Sequence, residues 1–434
     1  MIKLINAHDM MIVNYALLQL KGFMDPFCGC DQLVVCCLST EFHELKWAMC
    51  YGKFKVFVPL CPGENQIILK CAHFEVEFHV VYKVLKLNNQ YDVIPVYVIC
   101  ADGPEHFQAP AELRDSSKYG ATKRILFGMQ LLQSLTAESL LAELGKRCTF
   151  LLHRDTDQLT NKCLIHRSKM SLAEVYEANS KQVWNKLAHE LYATYPSGFD
   201  RKKWIAFMAC TRHSIPESVA SNGILPYEEI LRTTRGYFAL GSGGLALLGT
   251  GTLHAWPEGL ADLQGALLDT RKLEPFGMMN DTAYRHTFWA AFATGLGSVW
   301  HEMGHCFGLD HSLDGIMNRG GDDINLCISF PPRGSNCLDG CMWIGRNGPP
   351  CPSCRLSEHI PPQFRPSPAI EVGVQFRRYT CLAQINPRHN SNYSPYRTSS
   401  CFSFCNSLWH QGSAYWGFDQ AVKLTRNPWI VRCP

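Results

Sequence analysis

Residues 300–320 read WHEMGHCFGLDHSLDGIMNRG. His301 and His305 are four apart on a helical pattern, so both imidazoles face one side, a turn apart, within reach of one ion. Zinc accepts neutral histidine nitrogens at about 2.0–2.1 Å. Two ligands do not make a reactive site, so a third must arrive from elsewhere. Gly308 lies three residues past His305 and can take the positive φ that ends a helix. The chain can then turn and bring His311 back to the metal. Three neutral ligands leave an open position, where a water has its pKa lowered to about 7.

Glu302 follows the first ligand directly, about 100° around the helix and on the flank of the metal face. A carboxylate there can accept the water's proton and pass it to a leaving amine. An isolated HExxH is short and arises by chance on ordinary surface helices. The extended pattern HExxHxxGxxH fixes five positions, and its chance occurrence is on the order of 10⁻⁴ per chain. Zn(2+) is therefore the expected cofactor.

The elements that must position these groups are legible in part. The active-site helix is expected from roughly 282 to 307, carrying AYRHTFWAAFATGLGSVWHEMGHCF. An earlier helix over 121–147 repeats apolar residues at Ile125, Leu126, Met129, Leu132 and Leu135, with Gly145 as a stop. CTFLLH (148–153) and WIAFMAC (204–210) read as strands, with an amphipathic helix over 180–195 between them. In 235–257 two apolar β stretches flank glycine clusters. This is a hairpin with a loose turn, or an edge strand that pairs with an extended substrate. Within it Gly243, Gly244, Leu245 and Ala246 are the candidate substrate-binding strand.

Before these, FKVFVPL (54–60), the run 65–87 and YDVIPVYVIC (91–100) are rich in Val, Ile, Phe and Tyr, with turn-like breaks at 61–65 and 88–90. They read as a β-rich, sandwich-like accessory domain. The expected fold class is α/β: a catalytic domain with a mixed sheet and an active-site helix, preceded by that β domain. The expected boundaries are 1–115, 116–330 and a Cys/Pro-rich tail, 331–434, without sustained periodicity.

Bulk properties narrow the partners. Over 434 residues, 46% are hydrophobic, 18% are charged and the net charge is +3. That is globular composition, and the charge argues for neither nucleic acid nor an anionic membrane as partner. No apolar stretch reaches the roughly 18 residues of a spanning helix, so no membrane span is expected. The N-terminus, broken by His8, Asp9 and Asn14, reads as a poor secretory signal, which favours a cytoplasmic location. The chain holds 21 cysteines. Those scattered before residue 327 read as small buried apolar groups. In the tail, Cys337, Cys341, Cys351 and Cys354 could form a structural zinc site or disulfides, or the tail is disordered.

HEMGHCFGLDHS resembles the long zinc signature of the metzincin peptidases, and its GLDHS end is similar to the matrixins. The resemblance implies a metzincin-like catalytic domain with a methionine turn beneath the metal, a position matched by Met317 in DGIMNRG. Two features depart from it. Only five residues separate His311 from Met317, and position 319 is Arg, where astacin-like members carry a metal-reaching Tyr. No cysteine-switch segment is seen, so matrixin-like latency does not carry over. A closer resemblance, over roughly 50–326, is to a group of zinc metallopeptidases of fungi and other eukaryotes. Its landmarks match VPLCPGEN (58–65), LTAESLLAELGKRCTF (135–150), GYFALGSGGLALLGTGTLHAWP (236–257) and HEMGHCFGLDHSLDGIMNRGGDDIN (301–325). Members often continue into a jacalin-like lectin domain, whose β pattern is not found here.

The resemblance implies a zinc-dependent endopeptidase acting on a protein or peptide substrate, with Glu302 as general base. Two other classes stay open: a catalytically inactive zinc-binding scaffold that recognises an extended peptide segment, and a non-peptidase zinc hydrolase.

Overall fold

The computed structural model describes residues 1–330 and 414–434, apart from 26–28, 41–43, 51, 86–90, 155–159, 215–226, 274–276 and 284. The strands β1 (Ile2–Leu4), β2 (Met11–Val13), β3 (Leu17–Met24), β4 (Gln32–Cys37), β5 (Leu45–Ala48), β6 (Lys53–Pro59), β7 (Gly63–Cys71) and β8 (Phe74–Tyr82) come first. They form two sheets, ordered β1-β3-β6 and β2-β8-β7-β4-β5. Within the apolar run, β7 and β8 thus form a hairpin, turned at Ala72 with φ 51°. Trp47 and Phe57 meet between the two sheets, ring centroids 6.2 Å apart.

Next come β9 (Asp92–Ile99), α1 (Lys118–Leu144), β10 (Cys148–Leu152), β11 (Leu164–Arg167), α2 (Leu172–Glu177), α3 (Ser180–Thr194) and β12 (Lys202–Met208). They are followed by β13 (Arg212–His213), α4 (Tyr227–Arg232), β14 (Thr234–Arg235), β15 (Ala239–Ser242), β16 (Leu245–Gly249), α5 (Leu260–Leu268) and α6 (Phe288–Cys306). The described elements close with α7 (Ile324–Ile328), α8 (Phe418–Thr425) and β17 (Ile430–Arg432).

A seven-stranded mixed sheet runs β15-β16-β12-β9-β10-β17, with β11 also on β9. Its inner pairs are parallel and its two outermost strands antiparallel. β9, which composition groups with the N-terminal β run, lies in the middle of this sheet. It is buried at nearly every position, as parallel strands covered on both faces are.

α1 is capped by Ser117, whose hydroxyl accepts from Tyr119 and Gly120 N–H, and it ends at Gly145 in the left-handed conformation. It is long and apolar enough to cross a membrane by composition, an exception to the expectation that no stretch reaches that length. However, 78% of that window is buried within the fold. Its flanks are taken by β3, β9 and β10. Ser134 Oγ donates to Leu17 O, Gln133 to Phe150 O, and Glu138 takes a buried ion pair from Arg147 at 2.8 Å. One buried apolar cluster consequently runs from Ile2 to Cys433.

Of the tail, only the last residues are described. Residues 414–434 are built into the fold, with β17 pairing antiparallel to β10 (Cys148↔Arg432, Phe150↔Ile430). Cys337, Cys341, Cys351 and Cys354 lie outside the described residues.

Candidate metal centre

α6 is apolar from Phe288 to Trp300 and is buried along that length. Such a helix sits against the sheet because exposing that surface to water would be unfavourable, at about 25 cal/mol per Å². It packs on β15 and β16. Only its final turn, carrying His301, Glu302 and His305, reaches partial exposure. Gly308 has φ 81°, and Leu309 N–H closes back on Gly304 O at 2.9 Å. The chain therefore reverses there and returns His311 to the helix face.

The ligand-capable atoms of His301, His305 and His311 all lie within 4.8 Å of one another. The ring centroids are 4.7 to 5.3 Å apart. His301 Nδ1 donates to Ile316 O at 2.7 Å and His305 Nδ1 donates to Leu309 O at 2.9 Å. A carbonyl only accepts, so in the neutral ring these bonds put the proton on Nδ1 and make Nε2 the nitrogen that could bind a metal. Those two Nε2 atoms are 3.2 Å apart. Two ligands of a tetrahedral ion at 2.0–2.1 Å stand about 3.3 Å apart. Imidazole donors, the Nδ1 anchoring of His301 and His305 and the spacing of those two fit zinc, with the third donor within 4.8 Å.

Glu302 is held by the sheet. One of its carboxylate oxygens accepts the N–H of Gly241 at 2.6 Å. The approach is close, for a Cβ on Gly241 would lie 2.1 Å from Glu302 O. Cys306, beside His305, is buried, which pushes its thiol up to about 12. It stays a neutral packing group.

Met317 is buried under α6, its Sδ 2.3 Å from where a Gly304 Cβ would stand. The short spacing from His311 is closed by Ser312 N–H donating to Met317 O at 3.1 Å. Arg319 is buried and pairs with Asp322 at 3.2 Å, a packing role unlike that of a metal-reaching tyrosine.

The candidate substrate strand needs correction. Gly243, with φ 51°, and Gly244 form the turn of the hairpin. Leu245 and Ala246 belong to β16, which has β15 on one side and β12 on the other. An interior strand has no ladder left to offer. Among the described residues the outermost strand on that side is β15, residues 239–242.

Sequence reasoning did not find Gly241, Ile316, Leu309 or the segment 414–434. Tyr415 O accepts Ile316 N–H at 2.9 Å, and Asn427 donates to Phe307 O at 2.9 Å. These contacts are mostly main chain and come from remote segments, so no local pattern marks them.

An HExxH helix, a returning third histidine and an edge strand over the carboxylate define a candidate metallohydrolase centre. The chain belongs to the Metallopep family, described as a "Putative peptidase family", whose model matches residues 1–334. It is similar to the "Putative zinc metalloproteinase C607.06c" of Schizosaccharomyces pombe, 26% identical over 308 residues, covering 69% of this chain and 48% of that protein. It is also similar to the "Putative zinc metalloproteinase YIL108W" of Saccharomyces cerevisiae, 25% identical over 302 residues, covering 63% and 41% respectively. The chain thus spans less than half the length of these curated relatives. Among solved structures it is similar to OgpA from Akkermansia muciniphila in complex with an O-glycopeptide, at 13% identity and a TM-score of 0.35, covering 60% of this chain and 61% of that one.

Proposed function

We propose that the protein is a zinc-dependent endopeptidase, with His301, His305 and His311 as metal ligands and Glu302 as general base. The observation that carries this reading is the pair of backbone-anchored imidazoles, His301 and His305, whose Nε2 atoms lie 3.2 Å apart with His311 beside them. Bound zinc would polarise the scissile carbonyl and activate a water. The protein's own groups supply the rest. Glu302 takes the proton of the attacking water and delivers it to the leaving nitrogen. Gly241 N–H orients the carboxylate through one of its oxygens. An extended peptide would lie along the outer side of β15 and pair through its main chain. That mode gives affinity without strong side-chain selectivity.

Zinc per chain and cleavage of a peptide library, compared between wild type and Glu302→Gln, test the proposal. The variant is expected to keep its metal and to lose about 10²–10⁴ in turnover. A wild-type chain that takes up no zinc, or a variant as active as wild type, would overturn it.

A further inference from the structure

We propose that the segment 414–434, outside the span matched by the family, positions the metal ligands. The inference rests on the zinc-site reading above. It begins with a relay of two main-chain hydrogen bonds. His301 Nδ1 donates to Ile316 O at 2.7 Å, and Ile316 N–H donates to Tyr415 O at 2.9 Å. The residue that orients the first ligand is thus itself held from 414–434. The approach is tight, because a Cβ on Gly315 would stand 2.6 Å from Tyr415 O.

Trp416 supports the same loop from below. It is buried, and its ring lies edge-on to Trp300 with centroids 5.3 Å apart. Its ring end comes within 3.2 Å of where a Gly304 Cβ would stand, beside Met317 Sδ. Trp416 and Met317 therefore fill one space under the two-histidine turn. Asn427 acts at the far end of that turn, donating to Phe307 O, a carbonyl the helix end leaves unpaired. The segment is anchored independently of the site. Trp416 N–H donates to Ser139 Oγ at 3.2 Å, Cys327 Sγ to Ala414 O at 3.1 Å, and β17 pairs with β10. Groups that orient a ligating histidine affect metal affinity about 10–100-fold. Trp416 and Asn427 are such positioning residues, and neither touches the metal site directly.

The test uses the full chain with Trp416→Ala and Asn427→Ala. Leu69→Ala, buried in β7 of the separate five-stranded sheet, serves as a control for lost stability. Zinc affinity is measured by chelator competition, ligand geometry by the visible spectrum of the cobalt-substituted protein, and loop order by exchange of the Ile316 amide in metal-free protein. Trp416→Ala is expected to weaken zinc binding about tenfold or more, alter the cobalt spectrum and speed Ile316 exchange. Asn427→Ala is expected to weaken zinc binding by several-fold, and it carries the test alone if Trp416→Ala fails to fold. Leu69→Ala is expected to keep wild-type affinity. Wild-type affinity and cobalt spectrum in both segment variants would overturn the inference. Wild-type protein that binds no zinc overturns it together with the zinc-site reading. Zinc binding without peptide cleavage overturns the peptidase reading alone.

Discussion

The N–H of Gly241 donates to a carboxylate oxygen of Glu302 at 2.6 Å. This bond ties the outermost strand of the mixed sheet to the last turn of the active-site helix. It sets the acid's orientation before any substrate arrives, and preorganisation of this kind supports catalysis because little rearrangement remains for the reaction itself.

Gly241→Ala tests that bond. The added Cβ would meet Glu302 O at 2.1 Å, so strand and helix must part. Turnover is expected to fall about tenfold or more, with a smaller change in zinc affinity, since the bond holds the proposed base and not a ligand. Kinetics alongside a zinc titration check it. Equal losses in both would contradict the assignment.

Gly304→Ala acts on the floor of the site. Its Cβ would stand 2.3 Å from Met317 Sδ and 3.2 Å from the Trp416 ring. Overpacking of this sort costs about 1–3 kcal/mol. Denaturant unfolding of the metal-free protein is expected to show that loss, with weakened zinc binding beside it. Pairing the change with Met317→Ala is expected to recover part of the stability, a non-additivity that would be absent if the two residues did not share space.

Two buried bases give opposite ends of a pH profile. His254 is buried against the edge of the Phe288 ring, and burial lowers its pKa to about 4. The unfolded chain, at about 6.5, binds more protons between those values. Stability is therefore full above pH 6.5 and declines as the pH falls toward 4. Equilibrium unfolding of metal-free His254→Phe is expected to decline less over pH 6.5 to 4 than wild type. Matching slopes would refute the burial argument.

Lys55 lies in β6, donates to Leu326 O at 2.6 Å and sits 4.6 Å over the Phe330 ring. Burial lowers its pKa to about 7, against about 10.4 in the unfolded chain. The unfolded state binds more protons across that window, so Lys55 favours folding increasingly as the pH rises from 7 to 10. The stability of wild type relative to Lys55→Met is expected to climb over this range. A pH-independent difference would count against it.

Much of the half that holds the candidate metal centre was legible because its signals are local. The Gly145 stop, the helix Ser180–Thr194, the strand at Cys148 and the His301–His311 spacing each depend on residues within one element. The active-site helix begins at Phe288, not near 282, after a left-handed His286 with φ 61° that no apolar pattern announces. The edge strand was misplaced for a physical reason. Whether β15 or β16 is outermost depends on β12 pairing with β16 from some forty residues away in sequence, and both strands carry the same glycine-rich, apolar character. β9 was grouped by composition with the strands before it. Its partners β10, β11 and β12 all follow it, and parallel pairing leaves no turn signature. The segment 414–434 was missed because an eight-residue helix and a three-residue strand are too short to show periodicity.

The β10–β17 pairing has a consequence for biosynthesis. Residues 148–152 leave the ribosome long before 430–432, so during translation one border of the mixed sheet waits with its main-chain groups unmatched. Such a border recruits foreign strands. Nascent chains halted before residue 430 are therefore the ones that need chaperone cover, and a ribosome-release experiment would find aggregation falling once that last strand has emerged.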